Sequence, residues 1–469
     1  METSHDQFIA TDRAANASQW RQGELVEVEI TDLGHAGEGV GRFDGRVVFV
    51  PDTVTGDRVL ARLVRVKPQY AQGKLHKILE GSSHRRRPSC IVADKCGGCQ
   101  WQQIDYDYQL VAKRNAVLQD LERIGGFDGA IVAETLSANR LNYRNKATYP
   151  LARSNSGQVQ AGYYQKNSHH LINLNQCPIQ DPRLDPLLAE LKADIQARNW
   201  SIYSEQQHRG KLRHLALRIG RRTGEMLVTL VSTDANLDGL AEQAQVWMNR
   251  YSGLVGVCLN LNGDRTNAIF GSETRCIAGR SYLQEIFADL RFQVLPTTFF
   301  QVHTEAAELL LEAIATHLNL QGDEILVDTY CGVGTLTLPL AKRVQQAIGL
   351  EVQLEAVTQA QTNAALNGIT NTQFLAGTVE TLLPQLEVQP TVVLLDPPRK
   401  GCDRAVTTAL RELAPTRIVY VSCNPSTLAR DLKLLCEDGL YQLEQVQPVD
   451  FFAQTAHVES VAFLVKRQD

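Results

Sequence analysis

The stretch "EILVDTYCGVGT", Glu324 to Thr335, decides how the chain folds. Apolar, strand-prone residues lead to Asp328, a glycine-rich turn follows, and "LTLPLAKRV" then reads as a helix. Strand, tight turn and helix in that order open a βαβ unit. The alternation continues through strands "AIGLE", "TQFLAG", "TVVLLD" and "RIVYVSC", with helices "QLEAVTQAQTNAALNG", one after "PPRKGCD", and "STLARDLKLLCEDG". Apolar strands spaced by such helices predict a mainly parallel sheet buried on both faces, beginning near Pro296. Two successive strands, "YQLEQVQPVD" and "HVESVAFLVKR", predict an antiparallel hairpin at one edge.

Upstream the pattern changes. Residues 23–81 alternate in short strands with glycine turns, which predicts a small closed barrel of the oligonucleotide-binding type. Residues 1–22 have no apolar core and read as a flexible tail, so no leader is expected. Between barrel and α/β domain, 82–295 reads as an α+β domain, with a helix from Tyr106 to Ile124 closed by Gly125-Gly126. The fold class is therefore multidomain: barrel, central α+β domain, C-terminal Rossmann-like α/β domain. No apolar run reaches the roughly 18 residues that span a bilayer, and a cytoplasmic monomer is expected.

The 469 residues carry a net charge of -5, which excludes a general polyanion binder. The distribution is uneven. Gly56 to Pro88 holds nine basic residues against two acids, ending in Arg85-Arg86-Arg87, a local surface able to attract phosphates. Phe43, Phe49 and Tyr70 are candidates to stack on bases.

In open α/β sheets ligands bind beyond the carboxyl ends of the strands. Four motifs fall there: the glycine turn, Glu351 closing "AIGLE", Asp396 in "LLDPPRKG", and Cys423 in "YVSCNPSTLARD". A strand-end acid such as Glu351 can take both hydroxyls of a ribose. The turn lacks the Gly-x-Gly-x-x-Gly pyrophosphate fingerprint and a P-loop lysine, which favours S-adenosylmethionine over a dinucleotide. Cys423 stands where a strand ends and a helix begins, and the helix N-terminus is expected to lower its pKa. A thiolate beside a methyl donor suits methylation at carbon 5 of uracil: sulfur adds to carbon 6, carbon 5 becomes nucleophilic, and a base later removes the carbon 5 proton. Glu459, in "AQTAHVESV", is the candidate base.

Three of the ten cysteines, Cys90, Cys96 and Cys99, fall within ten residues, and Cys177 follows in "NQCPI". Such a set reads as a metal site, zinc or iron–sulfur, which spacing barely separates.

"FFQVH", "DTYCGVGT", "GLE", "LLDPPRKG", "YVSCNPSTLARDL" and "QTAHVESV" together resemble the RNA uracil-C5 methyltransferase family across the whole C-terminal domain. The resemblance implies Cys423 as nucleophile, Glu459 as base, and Gln301, Tyr330, Glu351 and Asp396 around S-adenosylmethionine. Thr335 and Thr378 stand where some relatives place a cofactor-contacting Asn or Asp, and His303 where the family often has Asn. "CGGCQWQQIDYDYQLVAKR" resembles the cluster loop of the ribosomal branch, implying a structural 4Fe–4S cluster on Cys90, Cys96, Cys99 and Cys177. The barrel resembles the TRAM domain. Together they imply a uridine of 23S ribosomal RNA, or its precursor, as substrate. Rival readings are the same chemistry on transfer RNA, a non-catalytic RNA-binding scaffold, and a nicotinamide-dependent oxidoreductase with an iron–sulfur centre.

Overall fold

A computed structural model describes residues 20–166 and 168–467. The chain divides into two compact units, 1–85 and 86–469. The expected tail lies outside the described residues as far as residue 19.

The first unit is a closed five-stranded barrel of Leu25–Leu33, Gly39–Phe43, Arg46–Val50, Arg58–Val66 and Tyr70–Glu80, joined in the order first, second, third, fifth, fourth. Alternation drives it: Val26, Val28 and Ile30 point inward, as do Val48, Val50, Val59, Ala61, Leu63 and Ala71. Gly41 has no substitute, because a Cβ there would stand 2.3 Å from the Glu29 carbonyl oxygen. Trp20 corrects the tail boundary. It is buried against this core, with the Arg46 guanidinium 4.1 Å from its ring centre. The aromatic candidates are engaged within the barrel: Phe43 lies 5.9 Å from Trp20, and Phe49 meets Tyr70 edge-on at 5.8 Å.

In the second unit, a seven-stranded sheet runs in the spatial order Glu273–Gly279, Leu254–Leu261, Met226–Ser232, Leu212–Ile219, Lys146–Arg153, Val159–Tyr164, Leu171–Asn173. Helices Leu184–Ala197 and Leu240–Arg250 cover one face, burying Tyr149, Leu187, Leu215, Leu217, Leu230 and Trp247.

The α/β sheet has eight strands: Thr372–Ala376, Gln346–Glu351, Ile325–Thr329, Val392–Leu395, Arg417–Ser422, Glu459–Lys466, Tyr441–Asp450 and Leu136–Ser137. The first five are parallel, and the expected antiparallel hairpin follows them. Apolar clusters fill both faces. The eighth strand comes from far upstream. Helix Tyr106–Asp120 ends in a π-turn capped by Gly126 in the left-handed region, and the chain then adds Leu136–Ser137 beside Val449–Asp450. Residues 106–137 thus belong with this sheet and not, as the sequence suggested, with the central domain. A buried ion pair fastens them: Lys113 Nζ lies 2.5 Å from Asp450 Oδ1, and the Tyr106 hydroxyl donates to the other oxygen at 2.9 Å. Among the described residues no helix is long and apolar enough to cross a membrane.

Candidate active site

The parallel strands end on one edge, and the motifs gather there. Past Asp328 the backbone reverses through positive φ at Tyr330 (67°), Gly332 (54°) and Gly334 (84°). A Cβ built on Gly332 would meet nothing within 4 Å, so the space above the turn is open to a ligand. Glu351 closes the neighbouring strand and accepts the Gly332 N–H at 3.1 Å and the Gln353 N–H at 2.8 Å. Beneath the turn, burial pushes the Asp328 carboxyl up to about 7, although the Thr337 hydroxyl donates to it at 2.5 Å. Thr335 is buried in the turn; Thr378 is exposed and shares a 3.0 Å contact with Thr381. The Gln301 carbonyl accepts from Asn145 Nδ2 at 2.9 Å. His303 is fully buried and stacks on Tyr143 at 4.4 Å.

Register brings the two catalytic candidates together. Ser422 pairs with Ser460 across the antiparallel ladder, so the next position sets Cys423 opposite Glu459. Leu395 pairs with Tyr420 in the adjacent parallel ladder, which sets Asp396 at the same edge. Burial, then Glu459 and Asp396, push the Cys423 thiol up to about 11; Arg399 pulls the other way. This reverses the pKa lowering predicted from the helix N-terminus: two carboxyls and desolvation outweigh a partial dipole charge. At neutral pH the resting thiol keeps its proton. Burial raises Asp396 to about 7, and burial followed by Asp396 raises Glu459 well above the usual carboxylate range. Asp396 is one cause of the rise at Glu459, so the two carboxyls are electrostatic neighbours at this edge.

Four further residues lie within the quoted motifs, although sequence alone assigns them no role. Asp431 anchors the Pro397–Gly401 loop by accepting from the Cys402 N–H at 2.8 Å and the Tyr420 hydroxyl at 2.6 Å. Asn424 Nδ2 donates to the Arg399 carbonyl at 3.1 Å, and Arg399 Nη2 lies 3.3 Å from His457 Nδ1. Phe299 and Val352, close to Gln301 and Glu351 in the chain, are 66% and 63% exposed.

The four cysteines converge. Cys90, Cys96, Cys99 and Cys177 line one small cavity with Gln102, Tyr163 and Ile179. Burial first pushes Cys99 up to about 11 and Cys177 up to about 12; each also feels the other cysteines. The Gly98 N–H donates to Cys96 Sγ at 3.4 Å. Among the described residues no group of three or more His, Cys, Asp or Glu is arranged to hold a single metal ion. A tetrahedral zinc site needs its sulfurs drawn around one centre at about 2.3 Å. Cys99 is buried, and Cys90, Cys96 and Cys177 are half-buried around the cavity.

A family model for tRNA (uracil-5-)-methyltransferases matches residues 105–467. The chain belongs to that family. A TRAM model matches 19–76, in agreement with the barrel and with the place of Trp20 in it. The methyltransferase is 66% identical over 96% of its length to an RNA methyltransferase of Nostoc sp. (98% of that chain), and 57% identical over 96% to one of Synechocystis sp. (97% of that chain). Among solved structures it is similar to the Pyrococcus abyssi tRNA (uracil-54, C5)-methyltransferase in complex with S-adenosyl-L-homocysteine. The TM-score is 0.75 at 26% identity, covering 94% of this chain and all of the other. It is thus an S-adenosylmethionine-dependent RNA (uracil-5) methyltransferase with an RNA-binding TRAM barrel.

The basic run is less free than its sequence suggests. Arg85 is ion-paired with buried Asp57, Arg86 with Asp105 at 3.0 Å, and Arg58 with Glu27 and Glu80.

Proposed function

We propose that the enzyme methylates carbon 5 of a uridine in 23S ribosomal RNA through a covalent bond from Cys423 to carbon 6. The observation that carries the mechanism is that Cys423 and Glu459 each lie one position past the Ser422–Ser460 pair, at the edge that holds the open glycine turn. The donor fits the turn with Glu351 on its ribose and Gln301, Tyr330, Thr335, Thr378 and Asp396 around it; when bound it supplies an electrophilic methyl group. Cys423, half-buried, gives up its proton to solvent as sulfur adds to carbon 6, and the electron pair of the ring double bond moves to carbon 5. Once carbon 5 carries the methyl group, Glu459 takes its proton, the double bond re-forms and sulfur leaves. A carboxylate held above its ordinary pKa is the stronger base for that last step.

Transfer RNA is the second reading. A structure named for uridine 54 of tRNA aligns along 94% of this chain, so the domain set alone does not separate the two substrates. Mapping 5-methyluridine in both RNAs with and without the gene distinguishes them. Loss of a 23S position is expected; loss confined to tRNA selects the second reading.

Cys90, Cys96, Cys99 and Cys177 are proposed to hold a 4Fe–4S cluster, which when bound neutralises and cross-links the four thiolates. Its loop is tied to the segment that leads into Glu459. Trp101 N–H donates to the Gln454 carbonyl at 3.0 Å, Gln109 Nε2 to Gln454 Oε1 at 3.1 Å, and Cys99 shares a small core with Tyr143 and Ala453. Anaerobically purified protein is expected to be brown with about four irons per chain. Colourless protein with stoichiometric zinc contradicts the assignment.

A further inference from the structure

We propose that the face of the central sheet turned away from helices Leu184–Ala197 and Leu240–Arg250 carries an oxyanion site at Arg218 and Lys146, and that its ligand is a backbone phosphate of the RNA substrate. Resting on the reading above, this names a contact between that enzyme and its RNA. Along Leu212–Ile219 the odd residues Leu215, Leu217 and Ile219 enter the helix-covered core, so Arg218 points to the opposite face. Lys146 is its register partner on the adjacent strand. Arg218 is only 6% exposed; one nitrogen, Nη2, donates to the Thr298 carbonyl at 3.0 Å, while Nε and Nη1 have no partner among the described residues. Two residues before Lys146, Arg144 Nε is also buried, without a partner among the described residues.

The charged neighbours acting on Lys146 are themselves cations, Arg218 and then Arg144. With burial as the larger cause they hold its ammonium down to about 7, and burial holds Arg218 down to about 10. Clustered cations without a counter-charge are costly to bury, and an anion among them removes the cost. Free guanidinium donors on a rigid strand match the geometry of a phosphate. The site is built on fixed elements. Arg213 ties down the loop above it, donating to the Asn262 carbonyl at 2.9 Å, Asp264 at 2.8 Å and Thr266 at 3.1 Å. That loop sets the Phe270 ring 5.1 Å from Lys146 Nζ. Thr298, bound to Arg218, stands three residues before Gln301, so the site adjoins the cofactor segment. A carboxylate of the methyl donor is therefore the other source of an oxyanion.

Lys146→Ala and Arg218→Gln, with Arg218→Lys as the charge-preserving control, separate the sources. The probes are a fluorescein-labelled 12-nucleotide oligouridylate over a salt series and S-adenosylhomocysteine by calorimetry. Both charge-removing variants are expected to bind RNA roughly tenfold more weakly, with the log K against log salt slope shallower by about 0.7 for each phosphate no longer neutralised. Arg218→Lys should retain most of the slope, and S-adenosylhomocysteine affinity should not change. Weaker S-adenosylhomocysteine binding with unchanged RNA binding overturns the phosphate assignment in favour of the donor's carboxylate. No change in either ligand overturns the site; Lys146→Ala, at a half-buried position, keeps that outcome readable if Arg218→Gln fails to fold. The uridine reading stands or falls separately, on whether the parent protein methylates RNA.

Discussion

Cys423→Ala is expected to lower uridine methylation by roughly 10⁴-fold or more while leaving S-adenosylhomocysteine affinity within about twofold. The proposed route runs through a transient bond from this thiol to carbon 6, and carbon 5 of uracil does not attack a sulfonium methyl unaided. Removing sulfur therefore removes the route, not one contribution to it. The donor's proposed contacts lie at the glycine turn and Glu351, on other strands, so binding should persist. The measurement is a methyl-transfer assay paired with calorimetry. Turnover within tenfold of the parent would exclude the thiolate route; a loss of both turnover and S-adenosylhomocysteine binding would assign Cys423 to packing.

Most of the α/β domain was legible because its strands end in chemistry-bearing residues and its helices have a length that only a parallel sheet accommodates. Glycine turn, Glu351, Asp396 and Cys423 could each be assigned to a strand end before any coordinate was known. The pairing of Cys423 with Glu459 was not, since 36 residues separate them and only the register Ser422–Ser460 brings them together. The sign of the Cys423 pKa was misread for the same reason. A helix N-terminus is visible in sequence, whereas two buried carboxyls on neighbouring strands are not. The strand Leu136–Ser137 was not read from sequence, because a two-residue strand has no periodicity, so residues 106–137 stayed with the central α+β domain. Arg85 and Arg86 looked like free charge because their partners, Asp57 and Asp105, lie distant or unmarked in sequence.

Glu459→Gln is expected to stop product release rather than adduct formation. Glu459 raises the Cys423 pKa, so an amide in its place leaves the thiol easier to ionise and the attack on carbon 6 unhindered. Glutamine keeps the shape of the buried side chain but takes up no proton, so a methylated carbon 5 cannot lose its hydrogen and sulfur cannot depart. Turnover should fall by roughly 10²–10⁴-fold, the usual contribution of a positioned base, while RNA accumulates on the protein. A parallel fall in adduct and product would mean that Glu459 assists the attack instead.

The most direct measurement is tandem mass spectrometry of Glu459→Gln protein incubated with RNA and S-adenosylmethionine, denatured and digested. The predicted result is one modified peptide, with a 5-methylated uridine nucleotide attached through Cys423. An adduct on another residue, or none under conditions where the parent protein methylates RNA, would contradict the account.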